Sequence, residues 1–161
     1  MKNNLIRILN IVIGLVFFEG CSSSLPEVNK IAEVEESIYE NDVRINVKQI
    51  FSWVNRMPGS KPRFHISGEL EVLEDSKYNI NNIIIKKIKI IQFNNVVYNF
   101  TPKVESKFND ETKTIIFSTI RGLLVSAMLD SKKNINVEIL LSDSANEILL
   151  KIPSISIEEA H

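Results

Sequence analysis

Three side chains that could perform acid–base or metal chemistry lie close together in the sequence: His65, Glu69 and Glu71. Apolar and polar residues alternate around them, which is typical of a strand with one face towards water. All three therefore share the polar face, where an imidazole and two carboxylates could bind zinc or act as general acid and base. The same alternation also predicts an ordinary solvated face, and we expect no metal and no cofactor here.

Other catalytic arrangements have little support in the sequence. Apart from His161, His65 is the only histidine, so a hydrolase would have to be centred on it. The chain contains no Gly-x-Ser-x-Gly motif, and Pro58-Gly59-Ser60 has the composition of a turn. We therefore expect a protein that is not an enzyme, with a hydrolase centred on His65 as an alternative.

The single cysteine of the chain, Cys21, follows a segment organised like an export signal. A short basic lead precedes an apolar run over residues 11–18, and Gly20 supplies the small residue that a processing peptidase needs. The apolar run is shorter than the roughly 18 to 20 residues that a bilayer-spanning helix needs. We therefore expect residues 1–20 to be a signal peptide.

These residues resemble the signals of bacterial lipoproteins, in which the cysteine thiol becomes a diacylglyceryl thioether and the cysteine becomes the new N-terminus. The resemblance covers residues 1–21, and Phe18 and Glu19 depart from the usual leucine and small neutral residue. It implies lipidation of Cys21, attachment to a membrane through that lipid and a location in the bacterial cell envelope. Ser22 resembles the sorting signal for the outer membrane where a cell has two membranes. An ordinary secretion signal, or an uncleaved anchor, with Cys21 as a bystander is the alternative.

Length and composition predict one domain after this signal. The chain has 161 residues, of which 44% are hydrophobic, so the remainder is long enough for one sizeable core. We expect residues 21–30 to be a lipidated N-terminus and tether, of which 22–30 reach about 30 Å when extended, and residues 31–161 to be the domain. The 19 basic and 20 acidic side chains are interspersed, which gives no electrostatic reason to expect nucleic acid as a partner.

Alternation with period two dominates the domain and predicts an all-β fold. The clearest strand covers residues 64–72, and another covers 42–54, where Gln49 and Ile50 break the phase and indicate a bulge. Further strands are predicted over 82–93, 96–100, 113–120, 134–141 and 147–157. About seven strands with turn-rich connections favour an antiparallel β-sandwich of immunoglobulin-like or transthyretin-like kind.

Local signals also predict how some strands connect. Asn94-Asn95 separates two apolar runs and predicts a two-residue hairpin turn. Pro153 lacks a backbone donor, so the last strand should lie at an edge or switch sheets there. The pattern over 29–40 allows a helix or a strand. The apolar segment 121–129 allows a short helix or a crossover between sheets, of which we favour the crossover.

One segment has the composition of a binding surface. It brings the single tryptophan, Trp53, close to Arg56, Met57 and Pro58 at an end of the expected sandwich. Trp, Arg and Met are enriched at recognition surfaces, so we predict a loop that binds a protein of the cell envelope. The alternative is that Trp53 fills the core and Met57-Pro58 covers the end of the sandwich. A carrier or sensor for a small ligand or sugar is a second class of function.

Overall fold

The computed structural model describes residues 37–40, 43–73, 80–109, 112–143 and 146–160. The predicted signal peptide, Cys21 and the tether lie outside these residues. The chain divides into two units after residue 31, and all of the described residues belong to the second unit. Strands account for most of the described residues, which confirms the all-β prediction.

Eleven strands and one 3₁₀ turn, at Ile80–Asn82, are present in the described part of the chain. The first sheet contains β1 (Ser37–Glu40), β2 (Val43–Asn55), β3 (Arg63–Leu73), β6 (Lys103–Asn109), β7 (Thr112–Ser118), β8 (Leu123–Leu124) and β11 (Ile157–Ala160). The second sheet contains β4 (Ile84–Gln92), β5 (Asn95–Phe100), β9 (Ile135–Ser142) and β10 (Glu147–Ile155). The number exceeds the predicted seven by four strands. Strands β1, β8 and β11 are too short to leave much alternation in the sequence, and β6, most of whose residues are exposed, has few apolar side chains.

The two sheets form a sandwich, as predicted. The strand order is β1-β2-β3-β7-β6 in the first sheet, with β8 beside β3 and β11 beside β2, and β10-β9-β4-β5 in the second. Neighbouring strands are antiparallel except β11 and β2, which are parallel. The ambiguous segment 29–40 ends in strand β1. An immunoglobulin-like or transthyretin-like relationship stays a prediction.

The core lies between the sheets and consists mainly of branched aliphatic side chains. Strand β3 shows how the sequence forms it, since buried and partly exposed residues alternate without interruption from Phe64 to Leu73. Removing such a side chain from water contributes roughly 1.5 to 3 kcal/mol. The fully buried residues include Phe64, Ile66, Leu70, Ile88, Ile90, Phe117, Val137, Ile139 and Ile148.

Strand β2 contains the bulge that the sequence predicts. Its pairing with β3 shifts between Val47 and Gln49. One extra residue reverses the alternation, so the buried side chains are odd-numbered before the shift, as at Val47, and even-numbered after it, as at Val54. Phe51 and Trp53 consequently lie on the outer face of the sheet. The alternative that Trp53 fills the core is therefore wrong.

The hairpin between β4 and β5 is confirmed, with its turn one residue earlier than predicted. Gln92 and Asn95 form the closing pair, and Phe93 and Asn94 are the two turn residues. Their φ angles of 50° and 62° are left-handed, as a type I′ turn requires. Asparagine tolerates this conformation, whereas at Phe93 it costs about 1 to 2 kcal/mol.

Strand β10 is the edge strand that Pro153 predicts, and the chain then switches sheets as well. Pairing with β9 is irregular around Ser154, which has a φ of 59°. The chain crosses to the first sheet at Ser156, whose carbonyl oxygen accepts a hydrogen bond of 2.7 Å from the buried Ser52 hydroxyl. Both consequences of the proline are therefore realised.

Residues 119–134, here the crossover segment, lead from β7 in the first sheet to β9 in the second, as predicted for 121–129. The buried side chain of Gln92 fixes the second half of this segment. Its amide nitrogen donates to the carbonyl oxygens of Asp130 and Lys133 at 2.9 and 3.0 Å. Its amide oxygen accepts from the Asp130 N–H at 2.8 Å. The crossover segment is thereby attached to the end of strand β4.

Candidate functional site

The candidate binding residues lie where β2 turns into β3, at one end of the sandwich. In the connecting loop the Asn55 side-chain oxygen accepts from the Met57 N–H at 2.9 Å, and the Ser60 hydroxyl donates to the Met57 carbonyl oxygen at 3.3 Å. Gly59 has a φ of 87°, which glycine adopts at little cost. This loop exposes Pro58 and 53% of Met57 to solvent.

Trp53 lies on the outer face of the first sheet rather than in the loop. It is paired across the strands with His65, and the two rings are stacked with centroids 5.0 Å apart and an interplanar angle of 6°. Such aromatic pairs contribute about 0.5 to 1.5 kcal/mol beyond the area that they bury. Gly122 of the crossover segment lies close to the Nε2 and Cε1 atoms of the imidazole, and a Cβ at this position would lie 2.5 Å from Nε2. The stack thus fixes the orientation of both rings.

We expect His65 to titrate below the ordinary value of 6.5, because partial burial lowers its pKa and the Arg63 guanidinium lowers it further. Between the pKa of His65 in the folded chain and its higher pKa in the unfolded chain, the unfolded chain binds more protons than the folded chain. The free energy of unfolding therefore rises with pH through that window, and the rise is complete above about pH 6.5. NMR titration of the imidazole protons measures the pKa, with His65→Gln identifying the resonance. A midpoint at or above 6.5 would contradict the expectation.

His65, Glu69 and Glu71 share the outer face of β3, as predicted, and the carboxylates have partners there. Glu71 pairs with the Lys48 ammonium group at 2.9 Å, and this hydrogen bond is the main reason that the pKa of Glu71 is lowered. Glu69 accepts a longer hydrogen bond of 3.5 Å from Gln49. Within the described residues no three His, Cys, Asp or Glu side chains are grouped suitably for a metal ion. The two carboxylates therefore belong to a hydrogen-bonded polar face, whereas His65 is stacked on Trp53.

Arg56 is engaged by other parts of the domain. Its Nε donates to Glu159 at 3.2 Å, and its terminal nitrogen lies 3.1 Å from the same carboxylate oxygen and donates to the Ser131 hydroxyl at 3.2 Å. Its backbone N–H donates to the Ala160 carbonyl oxygen at 2.8 Å. Arg56 thus connects the loop to β11 and to the crossover segment. Of the predicted binding residues, Arg56, Met57 and Pro58 are exposed to solvent, and Trp53 is partly exposed.

The structure adds Leu124 to the candidate site. Strand β8 pairs Leu124 with Arg63, which places its exposed side chain on the outer face of the first sheet, beyond His65. The Tyr98 hydroxyl holds this strand by donating to the Leu124 carbonyl oxygen at 3.0 Å and accepting from the Ser126 N–H at 2.8 Å. No local signal in the sequence identifies Leu124, because its place on the outer face depends on pairing with Arg63, about 60 residues earlier in the chain. We call Phe51, Trp53, His65 and Leu124 the outer binding face.

A shallow depression is present on the outer face of the second sheet. Its volume is about 150 Å³, and it is lined by Lys87, Lys89, Glu138, Leu140 and Leu149. The Lys89 ammonium group lies 3.6 Å from the Glu138 carboxylate. Pockets that bind small molecules usually have volumes of about 300 to 1,000 Å³. The depression is therefore a weaker candidate site than the outer binding face.

Within the part of the chain that the structure describes, no helix has the length and apolar character needed to cross a bilayer. Comparisons with protein-family models, curated proteins and solved structures gave no match to this chain.

Proposed function

We propose that this chain is a lipid-anchored lipoprotein of the bacterial cell envelope, located at the outer membrane where a cell has two membranes, and that its β-sandwich is a non-enzymatic module that binds an envelope protein. The lipid on Cys21 attaches the chain to its membrane. The observation that supports the binding role is the outer binding face, which displays apolar and aromatic side chains on strands of the sandwich.

The outer binding face has two properties of recognition surfaces. The Trp53–His65 stack restricts both rings before any partner arrives, so little further side-chain entropy is lost on binding. Polar residues flank the apolar centre, with Ser67 opposite Phe51 and Glu158 of β11 beside Trp53. An apolar centre with a polar rim is the usual anatomy of a protein interface, and tryptophan is enriched among residues whose truncation costs 2 kcal/mol or more, roughly thirtyfold in affinity.

The alternatives use features with less support. A small-ligand or sugar carrier would use the depression of the second sheet, whose volume of about 150 Å³ is below that of most small-molecule pockets. A hydrolase would be centred on His65, whose ring is stacked on Trp53 and approached by Gly122. These contacts suit a structural and recognition role for His65.

Replacing Trp53 by serine should weaken binding of the envelope partner at least tenfold while leaving the fold intact, because Trp53 is partly exposed and outside the core. The measurement is crosslinking in cells that express the full chain, with a photoreactive residue introduced at Met57. The expected result is a specific crosslinked band that is lost in the Trp53→Ser variant.

The matched control is Phe108→Ser, which removes another exposed aromatic from a strand of the same sheet and should leave the band unchanged. Crosslinked bands of equal intensity with and without the two substitutions, or an equal loss of the band in Trp53→Ser and Phe108→Ser, would refute the binding face.

In the same cells, the anchored chain should fractionate with membranes and carry an acylated N-terminal cysteine by mass spectrometry. An intact leader with a free thiol at Cys21 would refute the anchor.

A further inference from the structure

Phe93 is an unusual residue for its position at the tip of the β4–β5 hairpin. The side chain is 66% exposed, and the backbone has a left-handed φ of 50°. Asparagine or glycine would meet the requirement of a type I′ turn without strain and without placing an aromatic ring in water. The strained backbone and the exposed aromatic ring are both unfavourable, yet Phe93 occupies this position at the end of the sandwich. A strained residue at an exposed tip points to an interaction.

Other side chains of the same end complement this ring. Met128 of the crossover segment is 57% exposed, and Lys132 and Lys133, which follow it in the same segment, are exposed as well. The Gln92 side chain, adjacent to Phe93, donates to the Lys133 carbonyl oxygen at 3.0 Å and so holds the lysines next to the hairpin tip. Neither lysine forms an ion pair with a described residue. We call Phe93, Met128, Lys132 and Lys133 the tip surface.

We infer that the tip surface docks on an anionic lipid bilayer, with Phe93 and Met128 in the interfacial region and the two lysines against the headgroups. An aromatic ring, an unbranched apolar side chain and ammonium groups that have no ion-pair partner among the described residues have the composition of an interfacial membrane contact. Lysines near a membrane surface are attracted by anionic lipids. Asp130 is the acidic residue of the same turn, and its carboxylate accepts from the Lys132 N–H at 3.0 Å.

The inference rests on the anchoring proposed above, because a tether of nine residues keeps the domain within about 30 Å of its membrane. At that distance a small contact surface suffices, since the anchor already supplies a high effective concentration. The contact would orient the sandwich and leave the outer binding face of the first sheet to a protein partner. It therefore adds a function to the β4–β5 hairpin and the crossover segment.

The test places a fluorescent reporter at the tip. The full chain, with Trp53→Phe to remove the natural fluorophore, carries Phe93→Trp and is reconstituted into vesicles whose lipids have brominated acyl chains. In vesicles that contain phosphatidylglycerol the reporter should lose roughly half or more of its emission, because interfacial side chains reach about 5 to 10 Å into the headgroup and acyl boundary. Lys132→Gln with Lys133→Gln, or phosphatidylcholine vesicles, should restore most of the emission.

The control reporter is Phe108→Trp in the same background. Phe108 is 58% exposed on strand β6, its ring lies 5.1 Å from the Lys113 ammonium group, and it is not part of the tip surface. Equal quenching of both reporters, or no quenching at Phe93→Trp, would overturn the inference. An emission of the Phe93→Trp reporter that changes with protein concentration in detergent would also overturn the inference, because it would indicate contact with a second copy of the chain. An emission that changes only after an envelope protein is added would overturn it as well. Flotation of the vesicles separates the two proposals: a chain that floats without quenching refutes the tip contact alone, and a chain that does not float refutes the anchor as well.

Discussion

Replacing Gly68 by alanine is expected to lower the free energy of unfolding by about 3 kcal/mol. Gly68 lies on the inner face of β3, and a Cβ at this position would be 2.5 Å from Cζ of Phe117 and 2.9 Å from the carbonyl oxygen of Gln49. Phe117 is fully buried, so its ring has no free space into which it can move. The glycine is required here by close approach rather than by its backbone conformation.

Chemical denaturation of the full chain measures this effect. The second variant is Gly68→Ala combined with Phe117→Leu, which removes the atoms of the ring that the new methyl group would meet. The double variant should be less destabilised than the sum of the two single variants, because each change relieves part of the cost of the other. A loss below about 0.5 kcal/mol for Gly68→Ala, or strict additivity, would contradict the close approach as the cause.

Replacing Gln92 by leucine is expected to lower the free energy of unfolding by about 3 kcal/mol as well. Gln92 is only 3% exposed, and the change removes the partner of four backbone groups, the Asp130 N–H and the carbonyl oxygens of Asp130, Lys133 and Asn134. Buried polar groups without a partner cost about 1 to 3 kcal/mol each, and water at the sandwich end should compensate part of the loss. The crossover segment should also become sensitive to proteolysis.

Gln49→Leu is the matched control, because Gln49 lies on the outer face with a single long hydrogen bond of 3.5 Å to Glu69. Its effect should stay within about 0.5 kcal/mol. Comparable losses in both variants, or an unchanged rate of cleavage within residues 119–134 for Gln92→Leu, would show that Gln92 does not hold the crossover segment.

Strand β3 and the bulge of β2 could be predicted from the sequence because both leave a local pattern. Strand β3 alternates without interruption, and the break in β2 is visible at Gln49 and Ile50. The consequence of the bulge was harder to foresee, since the side chains beyond it change face. Trp53 therefore belongs to the outer binding face, although its spacing from Val47 suggests the core face.

The hairpin turn shows how tertiary contacts override local preference. Asn94-Asn95 has the better turn composition, yet the turn residues are Phe93 and Asn94. Burial of Gln92 in phase with Ile90 sets the end of strand β4, because its side chain must reach the crossover segment. Sequence patterns carry no information on such a contact over 38 residues.

The candidate site could be predicted only in part for the same reason. Residue type alone identifies the segment around Trp53, and Met57 and Pro58 are indeed exposed. The stacking of His65 on Trp53 and the arrival of Leu124 depend on strand pairing, which the sequence does not specify. Because of these contacts, the candidate site is a surface on the first sheet, whereas the sequence predicts a site in the loop.

The parallel pairing of β11 with β2 has a consequence for the biogenesis of this protein. Residues 52–55 acquire this neighbour only when residues 157–160 arrive, and Ser52 is separated from its partner Ser156 by 104 positions. Contacts between such distant parts of a chain form late, because a long loop must close first. The first sheet therefore cannot be completed before residues 157–160 are available, and until then residues 52–55 of β2 present an unpaired strand edge that another chain could occupy.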